Sequence, residues 1–505
     1  MAQLSSPHPA PSAEHITDRT RADFRASTAD QWRAAILTGD VSAVELTGTA
    51  LTAAATLTEL GAFISMDPEY ALAKAEQLDE VVQMVRRHGS LAELSAKTPL
   101  LGLPLAFKDL SRVGGLPRTR GTLAIPADIP ARDEPLVRRT HAAGAVSIGK
   151  TQVPEFGLHC YSENRVGPPA RNPLDPSRTA GGSSGGAAAA VAAGILPFAP
   201  GSDGGGSIRI PAAACGLVGL KPGRGRLPDD PQAPLAANVG VNGPLATIPQ
   251  DAALLFDAMA GSRFRTEPAD GAKDRLGLAY GPASRAVHHA QQHGTAPVRV
   301  GVTAESPFSP ELEITLAEGA VAALEEGILR LSRRGHSVQG TDHCTGSERF
   351  WPAQFYSDFT ALWTSRLARG NFQEDQREQM EPLTRHYLET AEARPAGEAE
   401  AAEARLQQAA DAAGDIFGPW DLIMTPVLGY APPEVGWFDR LEPAANGAEQ
   451  CRFTPYTAIV NVLGLPAISV PVHTDADGLS WSIQLIGRPR TEEHLLALAA
   501  TLMQE

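Results

Sequence analysis

Two glycine–serine clusters flanking one small-residue run constrain this chain more than any other feature. The first is Gly181-Gly182-Ser183-Ser184-Gly185-Gly186 and the second is Gly201-Ser202-Asp203-Gly204-Gly205-Gly206-Ser207-Ile208-Arg209-Ile210-Pro211. Glycine serves where a backbone turns through positive φ or comes close to another group. The Ala-rich run between the clusters is compatible with a helix, so the clusters read as two loops folded against its ends. Backbone N–H groups in such loops can point at a common anion. The pattern predicts Ser207 as a nucleophile and Ser183 as its proton partner. The N–H groups of Gly204, Gly205, Gly206 and Ser207 are expected to form an oxyanion hole.

A third reactive group lies upstream. Leu101-Gly102-Leu103-Pro104-Leu105-Ala106-Phe107-Lys108-Asp109 reads as a short apolar strand ending on a charge. Lys108 starts from apolar surroundings, which favours a neutral amine able to act as a base. A surface lysine at a strand end is the plain alternative. Gly144-Ala145-Val146-Ser147-Ile148-Gly149-Lys150-Thr151 matches the phosphate-loop pattern, but its context is wrong. A helix precedes Gly144, Ala145 to Ile148 resembles a buried strand, and Pro154 stands where the phosphate-binding helix would begin.

Helical patterns cover Ser27 to Leu60, broken at Gly39-Asp40 and restarted by the capping box Ser42-Ala43-Val44-Glu45. Further helices are expected over 68–87, 134–143, 187–193, 249–259, 309–334, 391–415 and 492–503. Strands are expected over 145–148, 196–199, 215–222, 298–303, 421–426, 465–472 and 479–486. Arg171-Asn172-Pro173 reads as a turn and residues 268–294 as an exposed irregular insertion. The alternation of strands and helices predicts an α/β fold with one large mixed sheet. No internal repeat or central linker divides it, so residues 27–505 are expected to form one domain behind a loosely packed leader, 1–26.

The formal net charge of −15 argues against nucleic acid or anionic membranes as partners. No transmembrane run and no secretory signal pattern is present, which predicts a cytoplasmic protein acting on small molecules. Cys160, Cys215, Cys344 and Cys451 lie far apart and read as reduced thiols, with no metal or other cofactor expected.

With these motifs in place, the chain resembles the amidase signature family. Lys108, the two glycine–serine clusters, Arg171-Asn172-Pro173 and Gly464-Leu465-Pro466-Ala467-Ile468-Ser469-Val470-Pro471 carry the likeness. The resemblance implies an α/β/α sandwich around a mixed sheet of about eleven strands. It implies Ser207 as the acylated serine, Ser183 as the bridging serine in a cis peptide with Gly182, and Lys108 as the base. Asp203 and Arg209 would hold the nucleophile loop, and a homodimer is the family habit. Gln152, Gly204 and Gly223 depart from the common pattern, and Ile210 departs from the tRNA-dependent amidotransferase branch. The run Cys215 to Arg226 resembles hydrolases of small amides, including cyclic nylon oligomers.

The implied activity is hydrolysis of the C–N bond of a small amide through an acyl-serine, with esters and cyclic or oligomeric amides as further substrates. Two other readings stand beside it. Gly181-Gly182-Ser183-Ser184-Gly185 also fits a nucleophile elbow, with Ser183 attacking and one of His288, His289, His293, His336, His343, His386, His473 or His494 as partner. A non-catalytic or amidotransferase-type subunit on the same fold is the other. The acyl pocket is expected from the aromatic stretch Phe350 to Trp363 and from Glu434 to Arg452.

Overall fold

The computed structural model describes residues 23–228, 239–266, 278–341 and 351–504. Cys344, His343, Phe350 and most of the expected leader lie outside these residues. The leader's last residues are not loose: Phe24 is buried and its amide donates to the Gly194 carbonyl at 3.0 Å.

Eleven strands make up two sheets: β1 (Phe63–Met66), β2 (Pro104–Lys108), β3 (Val146–Thr151), β4 (Phe198–Asp203), β5 (Val218–Lys221), β6 (Val241–Ala246), β7 (Arg299–Val302), β8 (Ser337–Gly340), β9 (Leu422–Pro426), β10 (Ala467–Thr474) and β11 (Ser480–Gly487). Eight form a mixed sheet in the order β8-β7-β9-β11-β10-β5-β6-β4, and three form a separate sheet, β1-β3-β2. The expected single sheet is thus divided, with β2 packed beside the edge strand β4. Only the β7 pairings with β8 and β9 are parallel in the large sheet. Strand alternation feeds two cores. On β9, Leu422 and Met424 enter one core, while Ile423 joins Phe355, Phe359 and Ile459 in the other. Helices Pro249–Ala260, Glu318–Arg333 and Glu492–Leu502 lie against the first face.

Local chemistry sets the helix ends. Both expected early helices form, Ala29–Thr38 and Ala43–Thr56, each opened by a capping box. Gly39 at φ 77° stops the first. The helix Gly185–Ala192 is buried on every side, which only Gly, Ala and Val permit here. A Cβ on Gly186 would stand 2.3 Å from the Gln152 amide nitrogen.

Four expectations are corrected. Within 268–294, residues 268–277 lie outside the described residues, but Pro282–His293 is a helix burying Ala283, Val287 and Ala290. Its apolar stripe is made of small residues, so its polar face dominates the pattern. The helix expected from Ser309 starts only at Glu318, because extended Ala317 donates its amide to the Gly429 carbonyl at 2.8 Å. The helix expected over 391–415 is two, Pro382–Glu392 and Glu398–Asp411, parted by Pro395 and Gly397 at φ 84°. Arg171-Asn172 is the first arm of a hairpin with Asp175–Thr179. No described helix is long and apolar enough to cross a membrane.

Candidate active site

The site lies where β2 of the small sheet meets β4 of the large one. Lys108 ends β2, Ser202 and Asp203 end β4, and the two glycine–serine loops close over them. The loops are tied together by the Ser184 amide, which donates to the Ser207 carbonyl at 3.2 Å, and the first is held from outside by Ser162, whose Oγ accepts the Gly185 amide at 2.9 Å. The Gly182–Ser183 peptide is cis. A Cβ on Gly182 would stand 2.6 Å from the Tyr161 amide nitrogen, so the loop needs glycine there.

Lys108 is 2 % exposed. Its Nζ lies 2.7 Å from Ser183 Oγ, hydrogen-bonded to it, and donates to Ser202 Oγ at 3.0 Å and the Ser202 carbonyl at 3.2 Å. Burial lowers its pKa to about 7, against the opposing pull of the Asp203 charge. Ser207, 7 % exposed, hydrogen-bonds neither Ser183 nor Lys108 through its hydroxyl, and it faces two cavities at once. Among the described residues, no histidine hydrogen-bonds either serine, so the elbow pattern at Ser183 has no triad partner beside it.

Asp203 anchors the Gly204–Ser207 loop. Its carboxylate accepts the Gly206 amide at 2.7 Å, the Ile208 amide at 3.2 Å and two Arg209 guanidinium bonds at 3.0 and 2.9 Å. Burial by itself raises its pKa, but the Arg209 charge and hydrogen bonds outweigh this and hold it well below the usual carboxylate range. The Gly206 amide is thereby committed to Asp203, which removes it from the expected oxyanion donors. Gly204, Gly205 and Ser207 remain. Gly206, at φ 129°, has no room for a side chain, since a Cβ would stand 2.3 Å from Thr457 Oγ1.

Lys150, the lysine of the phosphate-loop lookalike, is fully buried and pairs with Asp109 at 3.1 Å and the Ser111 carbonyl at 2.8 Å. It ties β3 to the loop that follows Lys108. No phosphate-binding helix follows it.

The profile of the family described as Amidase matches residues 45–496. The chain belongs to the amidase signature family. A Mycobacterium tuberculosis (H37Rv) protein, AmiB2, itself only provisionally named an amidase, is 34% identical over 409 residues, covering 80% of this chain and 82% of that one. A glutamyl-tRNA(Gln) amidotransferase subunit of Bordetella avium (197N) is 32% identical over 500 residues, 94% of each chain. Among solved structures, 6-aminohexanoate cyclic dimer hydrolase matches with TM-score 0.77 at 26% identity, over 95% of this chain and 97% of that one. This amidase is therefore an amide-hydrolysing enzyme on an α/β fold.

Two cavities of this amidase meet at Ser207. One, of about 260 Å³, is lined by residues including Phe308, Tyr356, Phe359, Trp363, Gln450 and Cys451. All of these but Phe308 come from the two segments expected to build a pocket, whereas Trp351 is buried with its indole N–H on the Glu305 carbonyl. The other, of about 480 Å³, is lined by residues including Ser183, Ser202, Gly204, Arg366 and Phe372. Trp363, like Leu158 and Ser207, lines both. It belongs to the stack Phe355, Phe359 and Trp363, one turn apart on the helix Phe355–Ala368, and its indole donates to the Leu158 carbonyl at 3.2 Å. A Cβ on Gly204 would meet Trp363 at 3.3 Å, so the extra glycine makes room that the indole fills.

Several positioning residues carry no signal in the sequence. Asn461 donates to the Asp203 carbonyl and carboxylate at 2.8 and 2.9 Å and accepts from Arg209. Gln484 accepts from Arg209, and Thr457 Oγ1 donates to the Gly205 carbonyl at 2.6 Å. Nothing local to a short polar residue late in the chain shows that it reaches this loop.

Proposed function

We propose that this amidase hydrolyses small uncharged carboxylic amides through an acyl-Ser207 intermediate, with Ser183 and Lys108 moving the protons. The observation that carries the proposal is the buried Lys108 amine, 2.7 Å from Ser183 Oγ, with a pKa near neutrality. Neutral Lys108 takes the proton of Ser183 as Ser183 takes that of Ser207. Ser207 Oγ bonds to the carbonyl carbon, and the carbonyl oxygen becomes an oxyanion facing the amides of Gly204, Gly205 and Ser207. Each such donor is worth roughly 3–4 kcal/mol in the transition state. The relay then reverses: the C–N bond breaks, Ser183 protonates the departing nitrogen, and Lys108 reprotonates Ser183. Water repeats the cycle on the ester and releases the acid. The relay requires Ser207 Oγ to reach Ser183 Oγ once substrate is bound, a contact that commonly tightens only in the complex.

The cavities support a division of the substrate. The leaving nitrogen must face Ser183, which lines the larger cavity, so the acyl group fills the smaller one. Among the described residues, no Asp, Glu, Lys or Arg lines that cavity, which suits an uncharged aryl, alkyl or cyclic acyl group. The test is covalent labelling by a fluorophosphonate beside a hydrolysis screen over aliphatic, aryl and cyclic amides and esters. Ser207→Ala is expected to abolish labelling and Ser183→Ala to slow it. Stoichiometric labelling at Ser183 in the Ser207→Ala protein would overturn the assignment, and loss of all turnover in wild type would favour a non-catalytic subunit.

A further inference from the structure

The wall of the larger cavity carries two arginines, Arg366 and Arg369, at the C-terminal end of the helix Phe355–Ala368. Among the described residues, neither makes a hydrogen bond or an ion pair. Arg366 reaches over the glycine loop: its Nη1 is 3.8 Å from where a Cβ on Gly204 would stand. Its guanidinium carbon lies 5.3 Å from the centre of the Trp363 ring, a contact that holds the group without using its N–H donors. Its nitrogens keep accessible surface rather than being sealed in the wall.

The other polar side chains of this cavity are accounted for. Ser183 and Ser202 bond Lys108, Asp203 is taken by Arg209, and Ser207 is the proposed attacking group. Glu400 and Glu403 share a neighbouring pocket with both arginines, yet pair with neither. Burial lowers the Arg366 pKa, the Arg369 charge lowers it further, and no carboxylate offsets them. The guanidinium stays charged all the same. The fold gains nothing from this arrangement, because like charges three residues apart on a helix repel each other. Neither arginine lines the smaller cavity. The positive charge therefore faces the side where the leaving nitrogen must sit.

We propose that, beside uncharged amides, this enzyme hydrolyses a second substrate class, amides whose amine half carries a carboxylate, and that Arg366 binds that carboxylate while Arg369 adds its charge from the rim. This deepens the hydrolase reading and rests on it. The reaction is unchanged: the acyl group passes to Ser207 Oγ, the C–N bond breaks, and the nitrogen takes its proton from Ser183. The amine half leaves as an amino acid, and water then frees the acyl group as an acid. A carboxylate on the amine half finds a ready fork of donors, and charged hydrogen bonds of this kind are the strong ones.

The test compares two substrates with one acyl group, N-phenylacetyl-β-alanine and its near-isostere N-butylphenylacetamide, by release of phenylacetic acid from the full chain. Wild type is expected to turn over both. Arg366→Gln is expected to lower the ratio of kcat/KM, acid over butyl amide, by about 10-fold or more. The ratio cancels any difference in the fraction of folded protein. Arg366→Lys, which keeps the charge but loses the fork, is expected to lie between wild type and Arg366→Gln. An unchanged ratio in Arg366→Gln, which equal loss on both substrates also gives, overturns the proposal. So does Arg366→Lys no closer to wild type than Arg366→Gln, or wild type that hydrolyses the butyl amide alone. Calorimetric binding of the same two amides to the Ser207→Ala protein, with and without Arg366→Gln, separates the two readings. No turnover of either amide by wild type, with the ratio of dissociation constants still shifting as expected, counts against the hydrolase reading alone. No binding of the β-alanine amide, or no shift in that ratio, overturns the proposal.

Discussion

Replacing Lys108 by Met should cost activity and add stability, and the two effects have one cause. Lys108 is charged at neutral pH in the unfolded chain, near its ordinary value of 10.5, but folding lowers its pKa to about 7. Carrying it into the fold at pH 7 therefore costs about 4 kcal/mol, mostly for giving up the proton. Methionine has no such cost. It forfeits three hydrogen bonds, to Ser183 Oγ, Ser202 Oγ and the Ser202 carbonyl, worth roughly 2–3 kcal/mol together. The variant should thus gain roughly 1–2 kcal/mol at pH 7 while kcat/KM falls roughly 10²–10⁴-fold. Between pH 7 and 10.5 the unfolded lysine holds more protons than the folded one, so wild-type stability from this group rises with pH. By pH 10 the cost is down to about 1 kcal/mol, and the advantage of the variant should shrink by about 3 kcal/mol. Urea denaturation of both proteins at pH 7 and pH 10 reads this difference, and every other titrating group cancels between them. A stability difference that does not change with pH would refute a neutral buried Lys108.

Wild-type kcat/KM should fall as pH drops below about 7 and Lys108 protonates, reaching about a tenth near pH 6; a flat profile between pH 8 and 5.5 would exclude this base. Gly206→Ala should destabilise by roughly 2–4 kcal/mol and abolish activity, since its Cβ would collide with Thr457 Oγ1 at 2.3 Å at a φ of 129°; thermal melts and turnover check it. Asp203→Asn should cost roughly 3–5 kcal/mol by leaving Arg209 buried without its counter-charge, read by urea denaturation.

Much of the candidate site's geometry is legible in the sequence because it is local. Lys108 is announced by three apolar residues before it, and the glycines at 182 and 206 mark places where a Cβ collides with backbone or Thr457. A misplaced proline excludes the lookalike phosphate loop, and Lys150 is indeed spent on Asp109. Non-local pairing is not legible. Ser202 reads as a spacer until β4 sets it against the end of β2. Asn461 and Gln484 reach Arg209 from sequence separations of 252 and 275 residues, which no local pattern encodes. The division of eleven strands into sheets of eight and three is hidden for the same reason, because hydrogen bonding between distant strands decides it.

The charge distribution explains why Lys108 stays neutral although a carboxylate lies nearby. Three buried bases, Lys108, Arg209 and Lys221, lie around the buried carboxylate of Asp203, and Lys221 is also near the Arg209 charge that repels it and the buried Glu492 carboxylate. Arg209 claims it with two guanidinium bonds, and a guanidinium does not give up its proton. The remaining lone pairs go to the Gly206 and Ile208 amides and to Asn461. Asp203 is therefore fully engaged as a structural anchor, and the two lysines find no partner strong enough to offset burial; the pKa of each drops to about 7. Exchanging Arg209 for an apolar residue would free the carboxylate to raise Lys108 and protonate the base. The same guanidinium that shapes the Gly204–Ser207 loop thus also sets the protonation state on which the proposed relay depends.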